Sequence, residues 1–306
     1  MKRRTLMPVM IALMGIAVLT SCEKEDEQMT DPSQMTIAEY ASYDSNFSIL
    51  VSALSKAGLV STLNGAGNFT VFAPTNAAFN ALFTDLGVSG IADIPVETLT
   101  PILLYHVLGE EKKSNMITTG YYSSLSTSQS NNVTMRIDAG MEVKINNSAK
   151  VIVADVDVTN GVIHAIDKVI LPPTVVDIAI ANPAFSILVE AVVKADLVET
   201  LNGDGPFTIF APTNTAFEAL FTSLGVTGIA DLSAEALTPI LLYHVVSGNV
   251  TSSQLTAGAV PTLNGNIDVE LSPAPAINGV SNIVLTDVQG TNGIVHVIDK
   301  VLVPSK

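Results

Sequence analysis

The chain writes FTVFAPTNAAF over residues 69–79 and FTIFAPTNTAF over residues 207–217. The likeness extends past these stretches. Residues 69–108 and 207–246 align without a gap at an offset of 138, with 30 of the 40 positions identical. A second block follows: TNGVIHAIDKVILP from Thr159 matches TNGIVHVIDKVLVP from Thr291, at an offset of 132. The second copy is therefore six residues shorter between the blocks, in the least similar stretch, as a surface loop allows. A period this long is no solenoid repeat, which recurs every ~20–50 residues. The chain is a tandem duplication of one domain-sized unit, and 306 residues suit two such units.

Each copy carries the same order of local signals. In the second, Asn182 and Pro183 suit a helix start, and Phe185, Leu188, Val189 and Val192 fall on one face. In the first, Asp44 takes the cap position, with Phe47, Leu50, Val51 and Leu54 on the face. A Gly-rich turn and the β-rich run of the quoted phrase follow. Thr75-Asn76 and Thr213-Asn214 then cap a helix with Phe79, Leu82, Phe83 and Leu86, or Phe217, Leu220, Phe221 and Leu224, on its apolar face. A further helix is expected to start at Thr100-Pro101, or Thr238-Pro239, and to run into Tyr105-His106 or Tyr243-His244. Beyond it the pattern alternates as strands do, and each copy is expected to close on a long apolar strand, Gly161–Leu171 or Gly293–Val303. Helices first and strands after indicate an α+β domain.

Three motifs, each present twice, resemble the fasciclin domain family of periostin-like adhesion proteins. They are FTVFAPTNAAF with FTIFAPTNTAF, LLYHVL with LLYHVV, and the two TNG blocks. The resemblance spans about residues 34–305. It implies two tandem domains, each a β-wedge or sandwich with helices packed across it, over residues 34–172 and 173–306. It also implies adhesion or matrix contact as the function.

Composition narrows the partners. Residues 1–21 hold three of the 14 basic side chains and no acidic one; without them 11 basic and 29 acidic groups remain, a balance of −18. That surface is a poor match for nucleic acid or anionic lipid, both of which need clustered Lys and Arg. Residues 1–21 read as a signal peptide: Lys2, Arg3 and Arg4 precede an apolar run from about Leu6 to Leu19, short of the ~20 residues of a membrane span. Leu19-Thr20-Ser21-Cys22 resembles a bacterial lipobox, so Cys22, the one cysteine, is expected to carry lipid and to hold the chain on a membrane. Residues 22–33 are acidic and polar, a tether, and Lys24-Glu25-Asp26 resembles the signal that sends some outer-membrane lipoproteins to the cell surface. The expected location is the cell envelope, as an outer-membrane lipoprotein that is either periplasmic or surface-facing.

Catalytic and metal chemistry find little support. All four histidines, His106, His164, His244 and His296, sit inside the repeated motifs. His164 with Asp167, and His296 with Asp299, stand three apart on a strand pattern, which points them to opposite faces and prevents direct pairing. No G-x-S-x-G or H-E-x-x-H motif is present. The run from Asp155 to Gly161 falls short of a calcium loop, with Gly at position 7 and Ile166 at 12. No enzyme, metal site or cofactor is expected. By the resemblance, Tyr105-His106 and Tyr243-His244 are candidates for adhesion, and the bland alternative is a joint between helix and sheet. Asp155-Val156 and Asp287-Val288 occupy the place of an Asp-Ile pair implicated in integrin binding by adhesive relatives, with Val for Ile. An acid that solvates a strand end is the alternative there. The unknown partner is a surface protein or a glycan; a module for glycan or a small ligand is the other reading, with Tyr121-Tyr122 as the aromatic pair expected to be free.

Overall fold

The structure is a computed structural model and describes residues 31–304. The leader, Cys22 and the tether up to residue 30 lie outside the described residues. In the first copy the order is α1 (Ile37–Tyr43), α2 (Ser48–Lys56), α3 (Val60–Asn64), β1 (Phe69–Pro74), α4 (Asn76–Leu86), α5 (Val96–Tyr105), β2 (Val107–Leu108), β3 (Gly120–Ser128), β4 (Asn131–Ala139), β5 (Val143–Ile145), β6 (Ala149–Val158) and β7 (Gly161–Ile166). The second copy repeats it as α6 (Val175–Ala181), α7 (Ser186–Lys194), α8 (Val198–Asn202), β8 (Phe207–Pro212), α9 (Asn214–Leu224), α10 (Ala234–Leu242), β9 (Val245–Ser247), β10 (Gly258–Thr262), β11 (Gly265–Glu270), β12 (Ala276–Ile277), β13 (Ser281–Gln289) and β14 (Gly293–Ile298).

The quoted phrase becomes the middle of each domain. β1 runs parallel to β7, from Phe69 opposite Gly161 to Pro74 opposite Ile166, and β8 pairs with β14 in the same register. Both faces of this pair are covered. Val71, Ala73, Ile163 and Ala165 pack against the helices, while Phe72 and Ile166 enter a second core with Tyr105, Met135 and Ile137. Burial on both faces is why the two strands read as continuous apolar runs. In the first copy the strands close into a barrel through Leu108 opposite Ser124; the second stays an open seven-stranded sheet in the order β10-β11-β12-β13-β14-β8-β9. The fold is α+β.

Three local expectations change. Each copy opens with a short helix the periodicity did not show, α1 or α6. Capping boxes at Thr36 with Glu39 and Thr174 with Asp177 start them. The T-x-x-E/D spacing was the available signal. α5 begins at Val96, not Thr100, and holds Pro101 inside it, where the Thr100 hydroxyl donates to the Val96 carbonyl. The closing strands stop at Ile166 and Ile298, because the Asp167 and Asp299 carboxylates turn back to accept from the Lys150 and Asn282 N–H groups. The Ile170 N–H then donates to His106 instead of to a neighbouring strand.

From Pro32 onward the two copies form one compact body. The Ser128 hydroxyl donates to the Thr291 carbonyl at 2.6 Å and the Thr134 hydroxyl to the Gln289 carbonyl at 3.1 Å. Tyr121 packs onto the helical core of the second copy, accepts from Asn182 at 3.0 Å and lies under Arg136. Tyr122 is tied by its hydroxyl to Thr118 at 2.8 Å. Tyr121 is therefore a joint between the copies and Tyr122 a tie within the first, so the pair is not a free aromatic platform.

Candidate functional site

The repeated motifs resolve into hydrogen-bonded joints. Thr75 caps α4 by accepting from Ala78, and Asn76 reaches back to α2, accepting from the Ile49 N–H and donating to the Ser45 carbonyl. Asn160 accepts from Ile37 at 2.9 Å and donates to Leu63 at 2.7 Å and Gly65 at 2.9 Å, so one side chain holds the start of α1 and the end of α3. Asn292 repeats this with Val175, Leu201 and Gly203.

Tyr105 and His106 are buried, as are Tyr243 and His244. The Tyr105 hydroxyl donates to the Thr134 carbonyl and accepts from Asn146, and burial pushes its phenol well above the usual range. His106 pairs Nδ1 with the Ile102 carbonyl at 2.7 Å, and its Nε2 accepts from Ile170 at 3.0 Å. This network assigns the proton to Nδ1. Burial lowers the pKa of His106 to about 4, and that of His244, which bonds Ile240 and Leu302 alike, also to about 4. All four side chains are withdrawn from the outer surface. They join the end of α5 or α10 to the sheet.

His164 and His296 are joints of the same kind. Nε2 of His164 donates to Lys112, and Nδ1 accepts from the Asp155 N–H at 3.2 Å; His296 does the same with Val250 and Asp287. Neither histidine approaches Asp167 or Asp299, whose carboxylates cap β6 and β13. Ser114 and Ser252 donate to the carboxylates of Asp155 and Asp287 rather than to His164 or His296, which is not the serine-to-histidine order of a nucleophile.

Asp155 and Asp287 have another task. Both sit in the left-handed region, at φ 61° and 63°. The Asp155 carboxylate accepts from the Ser114 N–H at 2.7 Å and from its hydroxyl; Asp287 accepts from Ser252 in the same way. Burial works against the Asp155 carboxylate, but the Ser114 bonds, His164 and Lys113 outweigh it and hold its pKa below the usual value. Around each acid the ladder to β7 or β14 slips twice. Such slips re-aim side chains that strict alternation would send inward. As a result Ile152 and Val153 are 54% and 52% exposed, and Val284 and Leu285 are 58% and 41% exposed. Val156 is half-buried and Val288 buried, so the apolar part of the outward face lies before the acid, not after it. Sequence reasoning missed these four residues because the slips that turn them outward depend on pairing with β7 or β14.

A model of the fasciclin domain matches residues 45–172 and, separately, 183–304. The chain belongs to the fasciclin domain family. Among relatives, Protein sll1483 of Synechocystis is 43% identical over 48% of this chain and 78% of its own length. Transforming growth factor-beta-induced protein ig-h3 of Sus scrofa is 34% identical, and human periostin 30%, each over 79% of this chain. The chain spans only 36% of the first and 29% of the second. The fasciclin domain pair of the insect cell adhesion molecule Fasciclin I has the same fold, with a TM-score of 0.51 at 23% identity, covering 83% of this chain and 95% of that one. The fasciclin signatures are thus accounted for by the joints that build each domain.

Proposed function

We propose that this chain is a non-enzymatic contact protein of the cell envelope, held by lipid on Cys22 and meeting a surface protein or glycan through its two fasciclin domains. The observation that carries this is the outward apolar segment ahead of each clamped acid, Ile152-Val153 and Val284-Leu285, presented once per domain. Exposed apolar groups on a rigid strand are suited to partner contact. Two copies on one body allow bivalent engagement, which multiplies weak single contacts. The test is binding of residues 23–306 to arrays of matrix proteins and glycans, with Ile152→Thr/Val284→Thr as the variant. Threonine keeps the β-branch, so the melting temperature should hold while binding falls by about tenfold or more. Undiminished binding by the variant would remove this face from the reading.

Anchoring has its own test. Cys22→Ala should release the protein from membranes into the soluble fraction, since acylation is what makes such attachment stable. Equal retention of the variant on membranes would refute the lipid anchor and leave the contact face standing. A second reading, uptake of a small ligand, is favoured by a cavity in the second domain.

A further inference from the structure

The two domains differ at one place in their helical layers. In the second, residues of α6, α7 and β8 line an apolar cavity of about 130 Å³. The corresponding space in the first domain is about 10 Å³. Substitutions across the duplication accompany the difference. Three side chains are smaller in the second domain, Val175 for Ile37, Val192 for Leu54 and Ile178 for Tyr40, while Val176 for Ala38 and Ile209 for Val71 are larger. The mouth differs too. Ile180 and Val193 flank it, 56% and 60% exposed, where the first domain has Ser42 and Ser55. The second domain alone thus joins a larger interior space to an apolar rim.

We propose that this cavity binds the hydrocarbon end of an amphiphile. The volume compares with the ~150 Å³ apolar cavities that stay dry and accept a benzene-sized group. The single polar side chain in the lining is His244, and both its ring nitrogens are engaged, with the Ile240 carbonyl and the Leu302 N–H. A sugar hydroxyl would find no partner inside and would be buried unpaired. A hydrocarbon loses nothing there and gains the burial of its methylenes. Ile180 also borders the cleft between the domains, which Asn146, Ser148 and Asp177 line. A polar head left at the mouth would therefore stay beside water and polar groups. The site is separate from the strand segments at Ile152 and Val284, so its failure would leave the contact reading untouched.

The test uses residues 23–306 with N-phenylnaphthylamine as a fluorescent probe and octanol as competitor. The expected result is saturable binding at one site per chain, displaced by octanol and not by glucose. Val175→Ile/Val192→Leu, which installs the first domain's residues, should melt higher and bind the probe at least about tenfold more weakly. Should that variant fold poorly, Ile180→Ser/Val193→Ser removes only the rim and should weaken binding with the melting temperature unchanged. Absence of saturable binding by the parent chain, or equal affinity in both variants, would overturn the proposal. Phosphatidylcholine vesicles separate the sources of hydrocarbon: co-sedimentation lost in the filled variant points to a membrane lipid tail, and octanol competition without co-sedimentation to a free amphiphile.

Discussion

Gly161→Ala is expected to unfold the first domain at neutral pH. Gly161 opens β7 with φ +148°, and a Cβ placed there would lie 2.0 Å from the Phe69 carbonyl oxygen and 2.7 Å from its nitrogen. Both are backbone atoms of the strand that pairs with it, so no side chain can swing aside. Relief requires β1 to move off β7, and with it the Phe69–Asn160 hydrogen bond and the parallel ladder between the two cores. A loss above about 4 kcal/mol, at the extreme of single substitutions, is the expected size. Gly293→Ala should do the same to the second domain, its Cβ falling 2.3 Å from the Phe207 oxygen. Gly87→Ala is the control. It caps α4 at φ +66° with nothing within 4 Å, so only backbone strain of about 1 kcal/mol applies. Urea unfolding followed by circular dichroism measures all three. A Gly161→Ala midpoint no lower than that of Gly87→Ala would show that the strands can part without loss of the fold.

Mild acid should destabilise the protein before its carboxylates titrate. His106 and His244 are held neutral by burial, with pKa values of about 4 against an ordinary value of 6.5. The unfolded chain therefore binds more protons than the folded one between these limits. Stability is full above the unfolded value and falls as pH drops from about 6.5 towards 4. Each histidine contributes on the order of 2–3 kcal/mol by pH 4.5. His164 and His296 are lowered too, again chiefly by burial, and act in the same direction. The structural reason is specific: a protonated His106 would have to break either the bond from Ile170 or the packing that excludes water. Urea midpoints from pH 7.5 to 4.5 should fall steeply, and His244→Ala should flatten part of that slope while costing several kcal/mol at pH 7, since the buried Leu302 N–H loses its partner and the ring leaves a cavity. A midpoint constant across this range would mean the imidazoles are not buried as described.

What the sequence by itself determined was local or doubled. Thr75 and Thr213 as caps, Phe79 and Phe83 on an inward face, and His106 at a helix end each depend on neighbours within a turn, which the pattern carries directly. The duplication supplied the domain count, and the motifs the family. Short elements escaped: α1 is seven residues, too few for a 3.6-residue period to show, and only its capping box betrayed it. The tertiary structure alone decided the partners of each motif residue, because Asn160 meets Ile37 across 123 positions of chain and His164 meets Lys112 across 52. It also turned Tyr121 from a candidate ligand platform into a domain joint, through Asn182 on the other copy. Alternation along β6 gave no warning of Ile152 and Val153 facing outward together, since the slip that frees them is held by Ser114, 41 residues away from Asp155. The cavity is the extreme case. Ile37 to Val175 and Leu54 to Val192 look conservative in sequence, and only the tertiary structure shows the apolar space left between α6, α7 and β8.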